Sequence, residues 1–541
     1  MNESPPSATE RSPRAPWEDV PRRIAEAYLC SGPALDLGAL LWDGGCRADA
    51  PIRVPLSVLN RHGLVAGAPG SGRTTTLQLI AEQLSEAGVP VFLSDVEGDV
   101  SGIAAPGAGG ERVARRAAEV GQEWSPGGFP AVFYALGGIG PGVPLRATVT
   151  DFGPLLLARA LGLDRTEERS LELIFHYADA EGLELIELRD LRAVVAFLVS
   201  DEGKTELKAV GGLSAATAGV VLRTLTAFER EGAGAFFGEP EFDTAELLCT
   251  APDGRGVVSV LRPPAGQDRP RLFSTFLMWL LADLFHELPE VGDVDRPKLV
   301  FFFAAARPLF DDASAGFLES ITRTVRLLRS RGVGIYFVTR AAGDVPAEVL
   351  GQLGNRVQHA LSALTPDEAT ALKATVRTFP ETAYDLEGLL TGLGTGEAVV
   401  TVVSERGAPT PVAAVRLRAP RSRMGPIEPA ELERAVTGSV LFERYAQAVD
   451  RDAAYEKLAA VEAAKETGAA GAAAASAGPG TGAGGGERRA RRDREPRFEP
   501  ETLVDQVVGG GIRTTLARSV ATRRGGEISR SLCGTARRRG R

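Results

Sequence analysis

Cysteine and histidine are both scarce in this sequence, four of each. Cys30, Cys46, Cys249 and Cys533 lie far apart with no C-x-x-C pair and no adjacent histidine, so neither a zinc site nor a disulfide framework is suggested, and they read as reduced thiols. His62, His176, His286 and His359 each fall in or beside an apolar segment. They read as structural histidines, and neither a metal cluster nor a catalytic triad emerges. Long apolar runs are missing too: Leu272–Leu288 is interrupted by Asp283 and His286 and is too short to span a bilayer. The polar, Pro-rich start Met1–Pro16 lacks the basic end and apolar core of a signal peptide, so the cytoplasm is the default location. Lysine is nearly absent, arginine taking its place almost everywhere.

What remains is a chain of 541 residues with 44% hydrophobic and 24% charged residues, ordinary for a soluble globular protein. That length allows two or three domains, or one large α/β domain with insertions. The net charge of −9 is unevenly spread. From Glu487 onward about fifteen arginines face seven acids, so the tail is roughly +8 and the body near −17. A basic tail on an acidic body is an electrostatic footprint of nucleic-acid or membrane contact. The competing reading is a solvated end in an arginine-rich protein.

One motif carries chemistry. Gly67-Ala68-Pro69-Gly70-Ser71-Gly72-Arg73-Thr74 is a phosphate-binding loop with arginine where the lysine belongs, followed by Thr75. Such a loop aims backbone N–H groups at phosphates, a lysine reaches the β/γ-phosphates, and a Ser/Thr hydroxyl, here Thr74, holds Mg²⁺. The context fits, because His62–Ala66 is a short apolar strand and Thr75–Ala87 carries Leu77, Leu79, Ile80 and Leu84 at helical spacing. Arg73 is not a conservative replacement: its planar guanidinium is bulkier than an ammonium. Binding of ATP with Mg²⁺ is expected to be weakened, and hydrolysis to suffer more.

Apolar runs at Gly63–Ala66, Pro90–Ser94, Ala131–Leu136, Gly256–Leu261, Lys298–Phe303, Gly334–Thr339, Val357–Leu361 and Glu397–Val403 read as strands. Between them lie helical patterns at Thr166–Ala180, Leu188–Leu198, Ala215–Glu231, Gly316–Arg331 and Pro366–Val376. Continuous apolar strands separated by helices predict an α/β fold with a mostly parallel sheet, a RecA-like P-loop NTPase core. The expected organisation is an N-terminal segment 1–50, the core 51–420 with a helical insert at about 152–232, and a helical segment 421–466. A flexible Ala/Gly-rich linker 467–495 and a basic tail 496–541 follow. In the tail, Ile512, Leu516, Val520, Ile528 and Leu532 are interleaved with arginines and could line an amphipathic helix on a partner.

A P-loop ATPase needs a second apolar strand that ends in an aspartate for the Mg²⁺ shell, usually followed by a glutamate that activates water. Lys298–Phe303 is such a strand, but Ala304 and Ala305 occupy the two carboxylate positions. Asp95, Glu97 and Asp99, after the strand Pro90–Ser94, are the substitutes within reach of the loop in this topology.

Together with Gly32–Trp42, Asn60–Gly67, Gly203–Lys208, Phe237–Phe242, Phe273–Trp279 and Gly354–Ala360, these segments resemble the HerA-like helicase/ATPase family, in its bacterial branch with a domain of unknown function, related to FtsK-type DNA pumps. The resemblance implies a hexameric ring, homo- or hetero-oligomeric, with nucleotide between neighbours. It implies a trans-acting arginine at Arg356, for which a structural arginine at a strand start is the alternative. It also marks departures: the family pattern has lysine at Arg73, Asp-Glu at Ala304 and Ala305, histidine at Arg307, lysine at Glu97 and glutamine at Arg340. Two functions follow: a catalytically impaired pseudo-ATPase that binds nucleotide and assembles as a ring or scaffold, or an active ATP-dependent DNA helicase or translocase with a modified site. A third reading makes the arginine-rich tail a nucleic-acid-binding module carried by the ring.

Overall fold

The computed structural model describes residues 20–463, except 96–97, 208–211, 231, 263–269, 293, 304–305 and 311–314. The linker and basic tail, Glu97, and the alanines Ala304 and Ala305 therefore lie outside the described residues.

Twelve strands form one sheet: β1 (Ala34–Trp42), β2 (Gly45–Pro55), β3 (Gly63–Ala66), β4 (Val91–Ser94), β5 (Ala131–Leu136), β6 (Val143–Leu145), β7 (Val258–Arg262), β8 (Leu299–Phe303), β9 (Val333–Thr339), β10 (Asn355–Gln358), β11 (Glu397–Thr401) and β12 (Ala413–Leu417). Their order is β2-β1-β12-β11-β10-β3-β9-β8-β4-β7-β5-β6. From β10 to β6 all neighbours run parallel, whereas β10-β11-β12-β1-β2 pair antiparallel. The fold is mixed α/β with a mostly parallel sheet, as the continuous apolar strands predict.

Burial explains the parallel half. Every residue of β8 and β9 is buried, which suits strands covered on both faces. The antiparallel extension was not expected from the sequence. Its β1-β2 hairpin closes on the two residues Asp43 and Gly44, both at positive φ (52° and 73°), the conformation a tight hairpin turn requires. β1 then pairs with β12, Gly38 opposite Leu417.

The helix Arg73–Glu86 after β3 buries Leu77, Leu79, Ile80 and Leu84 in the core around the sheet. Its polar stripe is buried as well, and it is satisfied by the chain just past β12. The Glu82 carboxylate accepts from the Arg421 N–H (2.8 Å), the Ser422 N–H (2.9 Å) and the Ser422 hydroxyl, while Gln78 donates to the Arg423 carbonyl at 2.8 Å. A buried carboxylate without such donors would be strongly destabilising.

The chain divides into two compact units. The first, residues 1–146, 155–162 and 240–448, holds the whole sheet. The second comprises residues 147–154, 163–239 and 449 onward, and its described elements are helices. Helices Arg165–Ala180, Leu188–Val199 and Ala215–Arg230 bury Leu171, Ile174, Leu191, Val195, Val221 and Leu225, and Asp164 and Glu167 form a capping box at the first of them. A single helical run after Pro426 is not what forms. Helices Pro429–Thr437 and Val440–Tyr445 are separated by Gly438 and the cap Ser439, and a further helix spans 454–463.

Candidate nucleotide-binding site

The site is built at the carboxyl end of β3, with parallel β9 and β10 on either side. Ligands of open α/β sheets bind at this end. The chain leaves Ala66 and turns through Gly67, Ala68, Pro69, Gly70, Ser71 and Gly72 before Arg73 opens its helix. Gly70 (φ 74°) and Gly72 (φ 108°) take conformations that side chains disfavour. Gly67 is required by close approach: a methyl there would lie 2.5 Å from His359 Cβ and 2.8 Å from Ser71 Oγ.

The loop is held by its neighbours. The Gly67 N–H donates to Thr339 at the end of β9 (3.2 Å), the Ala68 N–H to Ala360 beyond β10 (2.8 Å), and the Ser71 hydroxyl to the Ala68 carbonyl (2.7 Å). No side chain caps the helix at Gly72, and a helix N-terminus of this kind suits an anion. Pro69 and Gly70 are exposed, and Arg73, Thr74 and Thr75 are half-buried. The shape of the loop therefore fits a phosphate group.

His359 is fully buried behind the loop. Its Nδ1 lies 3.0 Å from the Glu397 carbonyl, which only accepts, so Nδ1 carries the proton. Nε2 is then an acceptor, and the Thr76 hydroxyl donates to it at 2.9 Å. Burial holds the ring's pKa down at about 4; the Glu397 carbonyl opposes this, and the charge of Arg73 adds to it. The Gly396 N–H donates to the Ser71 carbonyl at 3.1 Å, so the start of β11 grips the loop at two points. Sequence reasoning read His359 as structural and missed its partner. The segment Gly354–Ala360 was the available signal, with nothing in it naming the loop.

Two buried or hydrogen-bonded carboxylates follow neighbouring strands, Asp344 after β9 and Asp95 after β4, with β9 and β8 standing between β4 and β3. Asp95, buried at the end of β4, accepts the Gly98 N–H on one oxygen (2.9 Å) and the Val100 N–H on the other (3.2 Å). Burial pushes its pKa up, against those two donors and Arg262. Asp344 accepts from the Thr339 hydroxyl and from the Ala341 N–H at 3.1 Å. Asp99, Arg307 and Arg340 are exposed. Arg356 lies on β10 opposite Leu64 of β3, and it is half-buried. Among the described residues no group of three or more His, Cys, Asp or Glu is arranged to hold a metal ion. No helix among them is long and apolar enough to cross a membrane.

Solved structures resemble this one at low identity. The bacterial conjugative coupling protein TrwBdeltaN70 is 13% identical, with a TM-score of 0.48, covering 75% of this chain and 95% of that one. VirB4 of Thermoanaerobacter pseudethanolicus is 13% identical, with a TM-score of 0.46, covering 72% and 98%. Plasmid coupling protein TrwB in complex with ADP and Mg²⁺ is 12% identical, with a TM-score of 0.48, covering 75% and 95%. No curated protein matches the sequence. The family model described as helicase HerA-like C-terminal matches residues 44–541, nearly the whole length, and the chain belongs to that family.

Proposed function

We propose that this HerA-like P-loop protein holds nucleotide phosphate on residues 67–75 but hydrolyses it poorly, acting as a ring-forming scaffold or regulator. The observation that carries the reading is a mismatch within one site. The loop keeps its left-handed glycines and a helix N-terminus without a side-chain cap, yet the sequence has alanine at positions 304 and 305, where a carboxylate is needed after β8. The backbone N–H groups of the loop would bind the phosphates, Arg73 would add charge, and the Thr74 hydroxyl would hold Mg²⁺. A bound Mg²⁺ would supply positive charge to the nucleotide phosphates. Ordering the ion and activating a water are the tasks left without a carboxylate.

The competing reading is a slow DNA helicase or translocase in which Asp95, Glu97 or Asp99 stands in. Steady-state ATP turnover of the purified chain, with and without DNA, separates the two when compared with the triple reversion Arg73→Lys, Ala304→Asp, Ala305→Glu. Each lost group commonly contributes about 10²-fold or more, so the unreverted chain should be at least about 100-fold slower. Equal turnover in the two proteins would overturn the impaired-enzyme reading.

A further inference from the structure

We infer that His359 is a positioning residue for the phosphate loop: its imidazole ties residues 67–76 to the start of β11 and thereby sets the loop geometry that nucleotide phosphate meets. The inference rests on the reading of residues 67–75 as the nucleotide site, and it adds a residue that no P-loop motif contains.

Three observations converge on the ring. It backs the loop at both ends, since methyls added at Gly67 and Gly72 would sit 2.5 Å from its Cβ and 3.8 Å from its Cε1. It bonds on both nitrogens, to Thr76 on the loop's helix and to the carbonyl of Glu397 on β11. With Nδ1 protonated toward the Glu397 carbonyl, the neutral ring accepts from the Thr76 hydroxyl, and a fully buried site with Arg73 nearby favours that neutral form.

The grip on the β11 side is itself braced. Arg116 donates to the Gly396 carbonyl at 2.8 Å and to the Thr395 carbonyl at 3.1 Å, while Arg416 pairs with Glu397 at 2.8 Å. The imidazole therefore stands between a fixed strand start and the loop. Replacing it should loosen the loop and leave the sheet in place.

The test uses the full chain and two readouts. Hydrogen exchange of the peptide covering 63–80 reports the loop directly, and titration with a fluorescent ADP analogue plus Mg²⁺ reports binding. Thr76→Val removes the hydroxyl at nearly constant volume, His359→Asn keeps a donor placed like Nδ1, and His359→Leu keeps neither bond. The expected order of loop exchange is wild type slowest, then His359→Asn, then His359→Leu, with Thr76→Val several-fold faster than wild type. ADP affinity should fall about tenfold in Thr76→Val and His359→Leu and be partly restored in His359→Asn. Combining Thr76→Val with His359→Leu should add little to the latter, because the two share one link. Unchanged loop exchange in folded Thr76→Val overturns the inference, whatever the His359 variants do. Faster loop exchange in the variants, together with a wild-type chain that binds no ADP, would leave the positioning role standing and sink the nucleotide reading. Normal ADP binding with unchanged exchange would do the reverse.

Discussion

Arg356 donates from Nη1 to the carbonyl of Thr378 at 2.7 Å, tying β10 to the turn after the helix Pro366–Val376. Burial pushes the pKa of this guanidinium down, and the Thr378 carbonyl holds it to its own chain. An arginine that serves a neighbouring subunit would have to do so with its remaining N–H groups or release this carbonyl. Arg356→Ala should lower unfolding stability by about 1–3 kcal/mol, the usual cost of stranding a buried hydrogen-bonding group. Urea unfolding at protein concentrations low enough to separate subunits measures this. An unchanged midpoint would show that the Thr378 contact contributes nothing and would favour a role toward the neighbour.

Stability should fall with acid in a defined window. His62, whose Nδ1 accepts the Ile335 N–H at 3.1 Å, and His359 both have pKa values lowered by burial to about 4. The unfolded chain takes up these protons near pH 6.5 and the folded chain does not. Their contribution is therefore complete above about pH 6.5, declines as pH falls, and stops changing below about 4. Each group accounts for up to about 3 kcal/mol across that window. Urea midpoints at several pH values should show a shallower acid slope in His359→Leu than in wild type. Identical slopes would mean that the ring is not held neutral.

The arginine-rich tail gives a test that depends on charge alone. Full-length protein should bind duplex DNA with an affinity that drops steeply with salt, the logarithmic slope being about 0.9 per phosphate neutralised. A chain ending at Gly468 should lose both affinity and slope. If the slopes are equal, the tail is a solvated end and DNA contact, where it exists, belongs to the body.

Much of the sheet is legible in local sequence because its parallel strands are buried on both faces. Lys298–Phe303 and Gly334–Thr339 are unbroken apolar runs, and β8 and β9 match them to within a residue. Pro366–Val376 is delimited by the cap Thr365 and by proline at its first turn, and the helix has those bounds. β1 and β2 escaped because β2, Gly-Cys-Arg-Ala-Asp-Ala-Pro-Ile-Arg-Val-Pro, carries glycine, proline and charge at a sheet edge. The Asp43-Gly44 turn between them was a usable hairpin signal. β12 is short, and its place depends on partners far away in sequence, β11 and β1.

The phosphate loop is legible for the opposite reason: its requirements are local, glycines at a turn and a helix start. The residues that hold it are not. His359 meets Thr76 across 283 positions, and no spacing rule connects a histidine after one strand to a threonine in the helix after another.

The bond between Glu82 and Ser422 spans 340 positions, and this separation sets a schedule for synthesis. The loop and its helix leave the ribosome early, whereas the segment that satisfies the buried face of that helix leaves some 340 residues later. At about 5–20 residues per second the gap is roughly 20–70 s. During that interval Glu82 must stay in water, and the apolar residues around it have no finished core to enter. Weakening the Glu82–Ser422 contact should therefore lower the yield of folded protein before it affects any activity.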